Sequence, residues 1–189
     1  MYICFKQHII LMKDMFIIEH AGEKVCFEKP EKGLVMIQVS TQGPALGGGA
    51  FVYALTNNHE TNERITWISK DLSLGDRCVI TFGNVDGVDD TSELPLIPEP
   101  TDIKVNGFVI RVNGRQFTVG LPQPSSVGVL ITDKEGECTI GITGYSSDNV
   151  SYVWFNKTVE EGDVYVIDYV PVDECDEPAS MVQFPIGGR

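Results

Sequence analysis

The sequence predicts an all-β protein: two tandem homologous units of short antiparallel strands, sandwich- or barrel-like, either separate or packed together with pseudo-two-fold symmetry. Three observations predict it. Apolar residues recur with period two in several short runs rich in valine, isoleucine, threonine and aromatics. Nowhere do they hold a helical period for three turns. And the stretch WISKDLSLGD, Trp67 to Asp76, returns as WFNKTVEEGD, Trp154 to Asp163.

Taken in chain order, residues 1–14 form an N-terminal extension. Its apolar run Ile9-Ile10-Leu11-Met12 is broken by Lys13 and Asp14, and no small-residue cleavage site follows, so it does not fit a signal peptide. A start at Met12 or Met15 would leave it as an extension. The first repeat unit spans 15–97. Within it Val35/Ile37/Val39, Phe51/Tyr53/Leu55 and Cys78/Ile80/Phe82 alternate as strands. Residues 98–102 are a linker inside the proline-rich PLIPEPTD, whose prolines stiffen it. The second unit, 103–189, carries strand signals at Ile140/Ile142 and Tyr165/Ile167/Tyr169.

The two units align in detail. Ile65 to Phe82 matches Tyr152 to Tyr169 without a gap. Upstream, Phe16, Gly22, Val25 and Phe27 match Phe108, Gly114, Phe117 and Val119, and Val35, Ile37 and Val39 match Val127, Val129 and Ile131. In the repeated decad, Trp67 and Trp154 are expected to end one strand as core anchors. Gly75-Asp76 and Gly162-Asp163 then turn the chain, glycine supplying positive φ and the carboxylate capping nearby N–H groups.

A formal net charge of −13 argues against nucleic acid and against an acidic membrane surface, because both need clustered Lys and Arg. It suits a basic protein partner. The five cysteines are odd in number, widely spaced and without a C-x-x-C pair, which predicts no disulfide framework, no zinc site and a reducing cytoplasm. The sequence sets no oligomeric state.

No catalytic constellation stands out. His59-Glu60-Thr61-Asn62-Glu63 puts Glu where a zinc helix needs its second His, so it reads as a polar loop. The glycine-rich GPALGGGA segment lacks the Lys-Ser/Thr of a phosphate loop and precedes a strand. Because it has no equivalent in the second unit, Gly43, Pro44, Leu46, Gly47, Gly48 and Gly49 form a candidate specificity loop. Acidic tips follow the last strand of each unit: Asp86, Asp89, Asp90 and Glu93 in one, Asp173, Glu174, Asp176 and Glu177 in the other. Their spacing fails a calcium loop, and exposed turns are poor places for a glycosidase pair. They are candidate partner-binding residues. The expectation is a non-catalytic acidic protein-interaction module, an inhibitor or immunity-type binder of a basic protein, with no cofactor and no metal. The alternative is a carbohydrate or small-ligand module using exposed aromatics such as Trp67, Trp154, Tyr145 or Tyr152.

Overall fold

The computed structural model describes residues 15–42, 49–83, 105–120, 126–134, 137–146, 150–172 and 174–183. They form thirteen strands and no helix. These are β1 (Met15–His20), β2 (Glu23–Glu28), β3 (Gly33–Gln42), β4 (Gly49–Asn58), β5 (Glu63–Leu72), β6 (Arg77–Phe82), β7 (Val105–Val112), β8 (Arg115–Val119), β9 (Val127–Lys134), β10 (Glu137–Tyr145), β11 (Val150–Thr158), β12 (Val164–Val172) and β13 (Ser180–Gln183). All pairings are antiparallel, in two sheets that pack as a sandwich and do not close into a barrel. The six-stranded sheet runs β2-β1-β6-β12-β7-β8; the seven-stranded sheet runs β13-β11-β10-β9-β3-β4-β5.

Both sheets cross from the first half of the chain to the second, at β6–β12 and β3–β9. The register at each junction follows the sequence match. At β6–β12, Val79 pairs with its own counterpart Val166. At β3–β9, Gln38 pairs with its counterpart Leu130. Exchanging each strand of the first half for its match in the second reproduces both strand orders, apart from the extra β13. One hydrophobic cluster fills the interior, drawing Phe16, Ile37 and Ile80 from the first half and Phe108, Ile131 and Ile167 from the second. Burial of such side chains supplies the main stabilising term. A small second cluster of Val109, Val170 and Val172 belongs to the second half, but the main core is shared.

Alternation along the strands places the inward residues as the periodicity requires, with one reversal. On β4 Ala50, Val52, Ala54, Leu55 and Thr56 are buried, whereas Phe51 and Tyr53 are only half-buried and lie on the outer face. For Phe51 and Tyr53 the period is right and the face is opposite, while Leu55 is buried as the alternation requires. The interior already holds the rings of Phe16, Phe27 and Phe82, in contact at 4.7–5.9 Å, so small side chains suit the inward positions. The outward Tyr53 hydroxyl instead accepts a hydrogen bond from Arg64 at 3.1 Å.

The two tryptophans also sit differently from expectation. They do not end their strands. Each is the extra residue of a β-bulge: Leu55 pairs with Thr66 and Ala54 with Ile68, skipping Trp67, while Thr143 pairs with Val153 and Ile142 with Phe155, skipping Trp154. A bulge re-aims one side chain without ending the ladder. Here it turns a large indole toward the core from strands that continue to Leu72 and Thr158.

Candidate functional site

The repeated Gly-Asp turns hold the halves together. Asp76 Oδ2 accepts the Ser73 N–H at 2.8 Å, and Asp163 Oδ2 accepts the Glu160 N–H at 2.9 Å. Gly75 and Gly162 have φ of 94° and 89°, a conformation that costs glycine little. Each turn then docks on the other half. Gly75 N–H donates to the Tyr169 carbonyl and Gly162 N–H to the Phe82 carbonyl, both at 2.8 Å. In return, Tyr169 N–H donates to Asp76 O and Phe82 N–H to Asp163 O, both at 3.0 Å. The decad is thus a reciprocal clasp.

Among the described residues, the buried carboxylates sit in structural pairs. Asp168, fully buried on β12, accepts two hydrogen bonds from Arg77 at 2.5 and 3.0 Å and one from Arg111 at 2.7 Å. Asp163 is held by Lys157 Nζ, the Tyr165 hydroxyl at 2.6 Å and Asn113 Nδ2 at 2.6 Å. Burial works against its charge, but the hydrogen bonds from Lys157, Tyr165, Asn113 and the Glu160 N–H outweigh it and hold the carboxyl below its ordinary range. Burial first, and the bond to Asp163 second, push the Tyr165 hydroxyl far up. Burial alone raises the Cys78 thiol to about 12, so it behaves as a small hydrophobe. Asp133 pairs with Lys29 at 2.9 Å. Sequence reasoning missed the Asp168 cluster, although a lone acid inside the apolar run YVIDYV was its signal.

The predicted acidic tips are placed in part. Asp86, Asp89, Asp90, Glu93 and Asp173 lie outside the described residues, as do Gly43, Pro44, Leu46, Gly47 and Gly48 of the glycine-rich segment, residues 1–14 and the 98–102 linker. Gly49 opens β4 with φ of 116°. Glu174, Asp176 and Glu177 are exposed and lie together on the segment leading into β13. Asp176 is partly committed within the fold. Its carboxylate accepts the Thr118 N–H at 2.7 Å, its N–H donates to the Thr118 carbonyl at 2.8 Å, and its carbonyl accepts the Trp154 indole N–H at 2.6 Å. The segment thereby ties β8 to β11, and β13 adds to the β11 edge.

The opposite end of the sandwich is different. Among the described residues no strand pairs with the outer edge of β5. Trp67 Nε1 donates to Thr56 Oγ1 at 2.9 Å, and its ring stacks on Phe27 at 5.3 Å and 10° between planes. Beside this stack lies a groove of about 390 Å³, lined by Glu28, Glu63, Asn58 and Ile65 as well as the two rings. Trp67 and Trp154 therefore stand on strands at opposite ends of the seven-stranded sheet and do not share one platform. Trp154 is buried, with 6% of its surface exposed.

Among the described residues no group of three or more His, Cys, Asp and Glu converges as a metal site, no disulfide joins the four described cysteines, and no helix is long and apolar enough to cross a membrane. His59 lies in the exposed β4–β5 turn, and His20 ends β1 at 3.3 Å from Asp76. No family model, curated protein or solved structure matches this chain.

Proposed function

We propose that this protein is a non-catalytic, acidic protein-interaction module that binds a basic protein partner in the manner of an inhibitor or immunity protein. One observation carries the reading. The buried carboxylates Asp133, Asp163 and Asp168 are each held by lysine or arginine within the fold, whereas Glu174 and Glu177, part of the chain's surplus charge of −13, are exposed. Surface charge of one sign speeds encounter with an oppositely charged partner and selects against like-charged ones. A sugar platform fits less well, because Trp154 is buried and its N–H is already bonded to Asp176. Binding in this module is a matter of surface and edge.

The test is a pull-down from lysate of the source organism in low and in high salt. The expected result is a stoichiometric basic protein released at high salt, bound more weakly by a Glu174→Gln/Glu177→Gln variant. Retention indifferent to salt and to both substitutions would overturn the electrostatic reading.

A further inference from the structure

The two ends of the sandwich are built from matching strands, yet only one is closed by the chain itself in the described residues. At the second end, the segment 174–183 bridges β8 and β11 and extends the sheet, Val150 to Val153 pairing with Gln183 to Ser180. The counterparts of Val150–Val153 in the first half are Glu63–Thr66, all exposed, on the outer edge of β5. A sheet edge presents a row of N–H and C=O groups that an extended peptide can pair.

Charge decides which peptide fits. The acidic segment with Glu174, Asp176 and Glu177 lies where the second half has the uncharged Gly120 and Val150, Cys175 packing against Gly120. At the matching positions the first half has Glu28 and Glu63, both lining the groove, while Glu23 is paired with Lys70 and Arg64 of the same edge is bonded to Tyr53. An acidic strand that suits the second end is repelled at the first. A basic one is attracted there, and the partly exposed Trp67 lining the groove offers apolar surface for the aliphatic stem of a long cationic side chain.

We propose that the β5 edge at Glu63–Thr66 accepts an extended segment of a basic partner, antiparallel as β13 lies on β11, with a Lys or Arg side chain in the groove between Glu28 and Glu63. The site rests on the interaction reading above and names where that partner docks. Backbone pairing supplies the register, and the two carboxylates supply the selectivity for a cation.

The experiment uses the full chain and two labelled octapeptides: Thr-Val-Lys-Val-Thr-Val-Lys-Thr, and the same peptide with Glu for both Lys. Binding is read by fluorescence anisotropy, and amide hydrogen exchange is followed at Glu63–Thr66. The lysine peptide is expected to bind at least about tenfold more tightly than the glutamate peptide, as expected of charge-selected docking. It should slow exchange at Glu63–Thr66 and lose most of its affinity in Glu28→Gln/Glu63→Gln, whose surface substitutions leave the core untouched. Equal binding of both peptides, or binding of neither, overturns the site. So does protection of Glu63–Thr66 in the unliganded protein, which would mean that the chain already covers its own edge. If the lysine peptide binds but ignores Glu28→Gln/Glu63→Gln and weakens in Glu174→Gln/Glu177→Gln, the site is wrong while the basic-partner reading stands.

Discussion

The two Gly-Asp turns share sequence, backbone hydrogen bonds and a reciprocal dock, yet their carboxylates live differently. Asp76 receives the Ser73 N–H and lies 3.3 Å from His20, with about a third of its side chain exposed (32%). Asp163 is 4% exposed at the side chain and gathers Lys157, Tyr165 and Asn113. The difference follows from two substitutions between matching positions and from where one shared lysine reaches. Tyr165 stands where the first half has Cys78, Asn113 where it has Ala21, and Lys157 bonds inward where Lys70 reaches Glu23 at the surface. Similar backbone geometry thus tolerates a half-solvated acid in one half and demands a polar network in the other. A repeated motif preserves the turn; its neighbours decide how much of the stability depends on it.

The largest expected effect lies where the halves differ most. Asp168 has Thr81 as its counterpart, so its cluster with Arg77 of the first half and Arg111 of the second has no symmetric equivalent. Asp168→Ala leaves Arg77 and Arg111 facing each other without a carboxylate, and is expected to cost roughly 3–5 kcal/mol in chemical denaturation. A Thr81→Ala control should cost far less; equal losses would mean that the arginine pair contributes nothing special.

Next come the bulge tryptophans. Trp154→Ala is expected to cost about 3–5 kcal/mol, whereas Trp67→Ala, at the open end and partly exposed, should cost less. A larger loss at Trp67 would place the greater packing load at the open end and reverse the comparison.

The aspartates sharpen it further. Asp163→Asn should cost about 1.5–3 kcal/mol, since Tyr165 and Lys157 lose a buried charged partner, against roughly 1 kcal/mol for Asp76→Asn. The sign of the pH effect follows from the lowered pKa of Asp163. Its contribution is fully present above the unfolded Asp value of about 3.9 and fades as pH falls toward the folded value. Thermal melts should therefore show an acid loss in wild type that Asp163→Asn partly abolishes. Melts with parallel acid limbs would exclude Asp163 as a source of that loss.

The smallest effect on stability, within about 0.5 kcal/mol, is expected for Glu174→Gln/Glu177→Gln, whose consequence should be in partner binding alone. At the level of whole halves, residues 103–189 expressed alone expose the β9 and β12 edges and one side of the shared core. They should fail to unfold cooperatively as a monomer in denaturant titrations followed by sedimentation. A monomeric, cooperative half would contradict the shared core.

The strand content, the alignment of the two halves and the Gly-Asp turns could all be read from residue order. They depend on local rules: period-two burial, glycine at positive φ, and a carboxylate three residues from the N–H it caps. The sequence also located the tryptophans as anchors but not as bulge residues, because a bulge is defined by the partner strand, here β4 and β10. The outward turn of Phe51 and Tyr53 depended on which face was already full. Asp168 with Arg77 and Arg111 came together only through the pairing of β6, β12 and β7, long-range neighbours in sequence. The same holds for the two ends of the sandwich. Residue order records Glu28 and Glu63 against Gly120 and Val150, but only the tertiary structure brings Glu28 and Glu63 to one groove. Local conformation is set by neighbours along the chain; register, face and the meeting of edges are set by the surface each strand buries against another.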